Sequence, residues 1–337
     1  MPVPVMAALG PQMHFPVTAA SMWHRSHGRE ADNRLLSEAQ QWLDAHRVPS
    51  TDRTYGTYDK QFAEHCVEEN VARFPAKPAT VVTFVKKLVN KKLTISTVGV
   101  ALSAIAAEYK PHDDITSPTD SGLVRIAREV ARREAKPAGT GKLPIPIEYL
   151  VGFATVCIEN QMLGSLEVFL VIIMMAAFLR ESEAAALDEA DVWLERIEDD
   201  EVLFVYVGKS KTDQERRGHT IVVGKAEHHR TICPIDWYKI AVASRPNSKK
   251  FFCRPDGKAL LAADPNKILK KLLLTRPEVD ASLYGSHSLR KKGCTAAAAA
   301  GVELTLLKRH GNWKSDAIFT YIKNSIQERL SVSRSFI

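Results

Sequence analysis

Four side chains near the end of the chain have the types and spacing that suit attack on a phosphodiester. His287 and Arg290 stand at positions i and i+3, so they share one face of a helix. Trp313 follows that helix, and Tyr321 comes eight residues after Trp313. Arginine clamps phosphate oxygens, histidine and indole N–H groups donate hydrogen bonds or move a proton, and a phenolate can attack phosphorus. The set predicts phosphoryl transfer that needs no metal.

A second arginine, Arg180, closes the strongly hydrophobic stretch 165–179, which is predicted to be a helix. A charge in that position is costly to bury unless it is paired or meets a ligand. Glu183, three residues on, is one partner that would satisfy it, and a phosphate is another. Each aromatic or histidine side chain of the set also has a plainer interpretation as a structural residue.

The order of these residues resembles the tyrosine recombinases, also called the phage integrase family, in which Arg, Lys, His-x-x-Arg, His or Trp, and Tyr follow one another. The sequence of these motifs is most similar to recombinases of eukaryotic mobile elements, such as the DIRS-type and Crypton groups. The motifs are His287-Ser-Leu-Arg, Gly-Asn-Trp-Lys-Ser-Asp-Ala and Tyr321-Ile. In most family members the tyrosine follows the His/Trp position by nine residues. The spacing of eight here indicates a one-residue deletion, so Trp313 could contact the phosphate or only pack the core.

The resemblance implies a role for each residue. Arg180 and Arg290 would hold the non-bridging phosphate oxygens, with Glu183 orienting the site. His287 would act as a base or as a hydrogen-bond donor to the phosphate. Tyr321 would form a 3′-phosphotyrosine and release a 5′-hydroxyl, so neither a metal nor any other cofactor is expected.

The family's general acid is a lysine on a β-turn, which protonates the departing 5′-oxygen. Two lysines of this chain, Lys209 and Lys211, lie in the corresponding loop. Lys211, directly before Thr212, matches the family's Lys-Thr motif better than Lys209 does. A solvated loop lysine remains the alternative for either one. The same loop adds Arg216 and Arg217, which with Lys209 are expected to contact DNA.

Composition bounds the class of protein. The chain has 337 residues, of which 45% are hydrophobic, enough for two cores. A formal net charge of +7 favours an acidic polymer as partner, although solubility alone would also explain it. The five cysteines are scattered without a C-x-x-C pair, which argues against a disulfide framework and a zinc site. No apolar run reaches about 18 residues, so no membrane span is expected.

Residues 31–136 have helical periodicity throughout and follow a leader, 1–30, that is expected to be disordered. One helix carries lysines outside its apolar face. The last helix, from about Ser121, is expected to bury Leu123, Ile126, Ala127 and Val130. Two basic helix faces in one module favour binding to a DNA backbone and resemble the helical, SAM-like core-binding domain of the family. The expected contacts are Lys86, Lys87, Lys91, Lys92, Arg125, Arg128 and Arg132.

A Pro- and Gly-rich linker, 137–146, then leads to a second domain, 147–337. Segments 201–207 and 219–223 are rich in β-formers and predict a hairpin, and most of the remainder predicts helices. The fold class is therefore mainly α, with an α+β catalytic domain that holds a small antiparallel sheet. This matches the catalytic fold of the family.

The function that follows is site-specific DNA recombination on double-stranded DNA by a homo-oligomer, a dimer or tetramer. Two alternatives stay open: DNA relaxation like that of type IB topoisomerases, and a DNA-binding protein descended from a recombinase that has lost catalysis. The resemblance to eukaryotic elements implies an intracellular protein, nuclear if the host is eukaryotic.

Overall fold

The computed structural model describes residues 42, 49–110, 114–137, 139, 141–160, 164–210, 217–322, 330 and 334. The chain divides into two compact units, with the division between residues 140 and 141. The expected leader, Lys211, Arg216 and most of the C-terminal tail lie outside the described residues.

The first unit packs amphipathic helices around one apolar core. Phe62, Phe84 and Ile105 come from three successive helices and are 1% exposed or less. The phenol of Tyr109 accepts a hydrogen bond from the backbone N–H of Ala76 at 2.6 Å, which satisfies its oxygen inside the core. The described part of this unit contains α1 (Pro49–Glu68), α2 (Pro78–Asn90), α3 (Ile95–Tyr109) and α4 (Gly122–Glu134).

The expected buried face of α4 is wrong. Leu123, Ile126 and Val130 are 58%, 60% and 42% exposed, whereas Val124 and Ala131 are fully buried. The buried stripe is narrow and built on small residues, which let α4 lie close to α2; larger apolar side chains remain on an outer face. The basic face stays in solvent as expected, with Arg125, Arg128 and Arg132 all exposed.

The second unit is organised around one helix that is buried on every side. Residues 168–174 are at most 1% exposed, as a helix that is hydrophobic all round requires. Phe169 of this helix packs against the rings of Phe251 and Phe252, with centroids 5.8 and 5.7 Å away. The helices of the described part are α5 (Ile147–Asn160), α6 (Ser165–Ala176), α7 (Glu181–Ala186), α8 (Pro234–Ser244), α9 (Asp264–Leu274), α10 (Ser286–Ala299) and α11 (Leu304–His310).

An antiparallel sheet in the order β1-β2-β3 completes this unit: β1 (Val192–Ile197), β2 (Asp200–Val207) and β3 (His219–Val223). Val205 pairs with Val192 on one side and with Ile221 on the other. The β2–β3 hairpin and the mainly helical fold class are confirmed. Strand β1 was not predicted, because its outer half, Glu195 to Ile197, is exposed and lacks an apolar alternation.

Candidate active site

The prediction that Arg180 ends a helix is wrong, because Arg180 stands at the start of the next helix, α7. Helix α6 stops at Ala176, and the N–H of Leu179 turns back to the carbonyl of Met174 at 3.1 Å. Arg180 then takes the N-cap position of α7 in an extended conformation. Its side chain keeps 15% of its surface exposed, so this guanidinium can still meet a ligand.

Glu183 connects the two predicted phosphate-binding arginines. One carboxylate oxygen accepts the backbone N–H of Arg180 at 2.8 Å, and the other pairs with the Arg180 guanidinium at 2.5 Å. The guanidinium of Arg290 lies 3.9 Å from the same carboxylate. Because the Glu183 side chain is only 3% exposed, its charge is balanced almost entirely by these two cations.

The start of α10 is attached to two other segments of the site. The hydroxyl of Ser286 donates to Glu181 at 2.7 Å, and its backbone N–H donates to the side-chain oxygen of Asn266 at 2.9 Å. This anchoring leaves His287 exposed at the helix start and places Arg290 one turn further, facing inward. Ser286 and Glu181 were missed by sequence reasoning, since neither belongs to the recognised order of residues.

Arg290 is almost completely enclosed, with 1% of its surface exposed. Its guanidinium donates to the backbone carbonyls of Phe178 and, at 2.6 Å, of Gly311, and its Nε–H is a buried donor without a partner among the described residues. Burial first and then the charge of Arg180 lower the pKa of Arg290 to about 10, against the opposing charge of Glu183. Arg290 is therefore still a cation near neutral pH, and part of its donor set is committed to the protein itself.

Trp313 and Tyr321 close the site over Arg290. The guanidinium carbon lies 4.0 Å from the Trp313 ring centroid and 5.6 Å from that of Tyr321, and the two aromatic rings are 5.3 Å apart. Tyr321 directly follows a 3₁₀ helix, Asp316–Thr320, and its carbonyl accepts the hydroxyl hydrogen of Thr295 on α10 at 2.8 Å. The phenol thus stands beside the cation that would stabilise a phenolate.

His287 stands at the open side of this cluster, with its ring centroid 6.4 Å from that of Tyr321. Partial desolvation lowers its pKa; Glu181 opposes this, and the positive charges of Arg290 and Arg180 act in the same direction as the desolvation. The neutral imidazole is the favoured form at pH 7. A neutral histidine can accept the proton of an attacking phenol.

The predicted hairpin is joined to the site through the turn before Trp313. The side-chain amide nitrogen of Asn312 lies 3.1 Å from Nδ1 of His219 at the start of β3. Lys209 and Arg217 are exposed at the two ends of the connecting loop. Lys211 and Arg216 lie outside the described residues, so the choice of general acid stays a prediction.

The predicted DNA contacts of the first unit lie mostly in solvent. Lys86, Lys91 and Lys92 are exposed on or next to α2. Lys87 is instead paired with Glu68, so its charge is partly compensated by the protein.

Within the described ranges no group of three or more His, Cys, Asp and Glu side chains could hold a metal ion. The search for a span likewise covers only the described ranges, where no helix has the length and apolar character needed to cross a membrane.

The chain is similar to a curated relative and to solved structures, although no protein-family model matches it. The relative is an integrase/recombinase XerD homolog from Selenomonas ruminantium; the alignment is 297 residues long at 25% identity and covers 85% of each chain. Because neither unit alone makes up 85% of the chain, this similarity extends over parts of both units.

Solved structures share the fold at low identity. The Tn1549 transposon integrase in complex with a circular intermediate DNA has a TM-score of 0.57 at 13% identity and covers 95% of this chain and 99% of its own. A lambda integrase dimer bound to a COC′ core site has a TM-score of 0.57 at 11% identity, covering 88% and 96%. XerH recombinase on a palindromic difH substrate has a TM-score of 0.54 at 16% identity, covering 82% and 75%.

The chain shares its fold with integrases of known structure, and its site brings together two arginines, a histidine and a tyrosine. In sequence it is similar to an integrase/recombinase over 85% of its length.

Proposed function

We propose that this chain is a site-specific DNA recombinase that cuts and rejoins DNA strands through a covalent tyrosine intermediate. The observation that carries the proposal is that Arg180, His287, Arg290 and Tyr321 meet at one site. The carboxylate of Glu183 contacts both arginines, the Tyr321 ring lies 5.6 Å from the Arg290 guanidinium, and the His287 ring lies 6.4 Å from the Tyr321 ring. These residues come from three separate stretches of the chain, because His287 and Arg290 share helix α10. Their meeting at one site suits phosphoryl transfer and has no need of a metal.

Cleavage starts with the phenol of Tyr321. Its proton passes to neutral His287 or to water as the oxygen attacks phosphorus, and the bond from phosphorus to the 5′-oxygen breaks. The departing oxygen takes a proton from a general acid, for which Lys211 is the first choice and Lys209 the second. Arg180 and Arg290 offset the charge that builds on the non-bridging oxygens.

Rejoining reverses these steps with another strand. The 5′-hydroxyl attacks the phosphotyrosine and the phenol leaves, so the number of phosphodiester bonds is conserved and no ATP is consumed. Exchange between two sites requires several active sites on one DNA assembly, for which we propose a homodimer or homotetramer. The exposed Arg125, Arg128 and Arg132 of the helical unit supply contacts to the DNA backbone.

Covalent trapping tests this proposal. Nicked duplexes from random and genomic libraries lose a short fragment after cleavage, so a protein–DNA adduct accumulates and survives denaturing electrophoresis. The wild type is expected to form the adduct and Tyr321→Phe to lose it while still binding DNA. Tyr238→Phe, which removes a phenol from α8 in the same unit, is the matched control and should form the adduct normally.

The other possible results distinguish the alternative functions. Tight DNA binding without an adduct on any library would support a recombinase descendant that only binds DNA. An adduct together with plasmid relaxation, but no exchange in a two-site assay, would support topoisomerase-like chemistry. Exchange between two copies of the recovered site supports recombination.

We also infer a closer relationship to recombinases of eukaryotic mobile elements of the DIRS and Crypton groups, and a nuclear location in a eukaryotic host. What supports this is the sequence around His287, Trp313 and Tyr321. A fluorescent fusion in eukaryotic cells would test the location, and exclusion from the nucleus would contradict it.

A further inference from the structure

We propose that Phe178 is a positioning residue for strand cleavage. Its backbone carbonyl accepts a hydrogen bond from Arg290, and the packing of its ring fixes the turn that carries this carbonyl. The role rests on the proposed function, since Phe178 acts on the reaction only through Arg290. Phe178 is only 5% exposed, so its side chain is buried away from the surface that DNA would contact.

The backbone of Phe178 is left-handed, with φ of 50°. Residues with a Cβ rarely adopt this conformation, and glycine is the usual choice where a helix ends in this way. The N–H of Phe178 turns back to Met175 at 3.4 Å, so the reversal directly follows α6. Because of this reversal the Phe178 carbonyl points at Arg290 and accepts a hydrogen bond from its guanidinium. Arg180, two residues later, leaves the same turn.

The ring of Phe178 explains why a phenylalanine can stand at this position. It meets the His310 ring edge-on at 4.6 Å and the Trp313 ring at 6.0 Å. On α10 it lies over Gly293, where an added Cβ would come within 2.7 Å of a ring carbon. One side chain therefore joins the end of α6 to α10, to α11 and to the Trp313 turn.

His310 secures the ring from the other side. Its Nε2 lies 2.8 Å from the carbonyl of Ala176, and because a carbonyl only accepts, Nε2 carries the proton. Burial lowers the pKa of His310 despite that hydrogen bond, and the charge of Arg290 acts in the same direction, so the imidazole is neutral at pH 7. The neutral ring can pack against Phe178 without adding a further positive charge next to Arg290 and Arg180.

The consequence concerns Arg290, whose carbonyl contacts are with Phe178 and Gly311. Loss of the Phe178 ring would free the turn, and the guanidinium would lose one of its two carbonyl acceptors. A misplacement of about 1 Å can lower a rate by about 10². We therefore expect Phe178 to matter for cleavage and hardly at all for DNA binding.

The test uses single-turnover cleavage of the suicide substrate by the full chain, with the wild type measured first. Phe178→Gly keeps the left-handed turn and removes the ring; Phe178→Leu keeps apolar volume and guards against a folding defect in the glycine variant. Both are expected to cleave about tenfold to a hundredfold more slowly at unchanged DNA affinity. His310→Gln, which retains an amide donor for Ala176, should cleave faster than His310→Leu.

A second substrate separates positioning from general damage. A methylphosphonate at the scissile position carries no charge on its non-bridging atoms and so depends less on a guanidinium. The Phe178 variants should approach the wild-type rate on it. Phe153→Leu, a buried phenylalanine of α5 in a separate cluster, is the control and should lower the melting temperature without a preference between the two substrates.

Three results decide the matter. Wild-type rates for both Phe178 variants on the normal phosphate would overturn the positioning role, and so would an equal loss on both substrates. A wild type that forms no adduct would refute the proposed function itself, and the positioning role with it.

Discussion

The guanidinium of Arg290 stacks on the indole of Trp313, with 4.0 Å between its carbon and the ring centroid. The stack explains how a cation with 1% exposure is tolerated, because the ring face attracts the charge that burial removed from water. It also places the indole directly beside the groups that would bind the scissile phosphate. Trp313 therefore packs the core and lines the site at once.

Substitution of Trp313 separates these two roles. Trp313→Phe keeps a ring over Arg290 but loses the N–H donor, so we expect cleavage to fall by about 10²-fold with only a small change in stability. Trp313→Ala should in addition lower the free energy of unfolding by about 3–5 kcal/mol. Single-turnover cleavage and thermal unfolding measure the two effects. Full activity in Trp313→Phe would show that the indole serves only for packing.

Among the carboxylates of the site, Glu183 should cause the largest loss of folding stability when it is replaced. Glu183→Ala leaves the enclosed Arg290 without its counter-charge, and breaking such a buried pair typically lowers stability by about 3–5 kcal/mol. Glu278→Gln is the surface control, because that carboxylate is 58% exposed in its pair with Arg276, and such pairs contribute about 0–1 kcal/mol. Denaturant unfolding of both variants provides the comparison, and equal losses would contradict the bridging role of Glu183.

The pH dependence follows from His287, whose pKa is lowered in the folded chain, first by desolvation. The imidazole then stays neutral somewhat below the ordinary histidine value of about 6.5, so cleavage should decline only at a pH under that value. Folding stability should also fall as the pH drops below about 6.5, because the unfolded chain takes up the proton on His287 before the folded chain does. Cleavage rates of the wild type and His287→Gln between pH 5 and 8, as an approximate range, test this. An acid limb that persists in the variant would assign the titration elsewhere.

A sulfur leaving group should identify the general acid. A thiol has a pKa of about 8.5, far below that of an alcohol, so it departs without a proton. If Lys211 is the acid, Lys211→Ala should fail on normal DNA and recover on a substrate with sulfur at the 5′-bridging position. Lys209→Ala removes an expected DNA contact, so it should bind more weakly but cleave bound DNA at the wild-type rate on both substrates. The reverse pattern would transfer the role to Lys209.

The arginines of α4 should determine salt dependence rather than chemistry. Each lost phosphate contact lowers the slope of log affinity against log salt by about 0.9. Joint replacement of Arg125, Arg128 and Arg132 by glutamine should flatten that slope and leave the cleavage rate of bound DNA unchanged. Arg196→Gln, on β1 with 73% side-chain exposure, is the control. An unchanged slope would remove α4 from the DNA interface.

Sequence patterns predicted the larger elements because long, strongly periodic segments bury one face whatever their neighbours are. The mostly helical fold and the β2–β3 hairpin follow from such periods. Periodicity did not reveal which face of α4 packs inward. Leu123 and Ile126 have larger apolar side chains than Ala131, but Ala131 is buried and they are exposed. That choice depends on how closely α2 can approach.

By itself, the sequence determined which functional groups the proposed chemistry can use. The types and order of Arg180, His287, Arg290 and Tyr321 predict phosphoryl transfer through tyrosine, because arginines suit a phosphate and a phenol can act as nucleophile. Only the tertiary structure decided that Arg290 is enclosed and that Phe178 holds it from a left-handed turn. Burial and hydrogen-bond partners arise from contacts between residues far apart in the chain, and local spacing does not contain them.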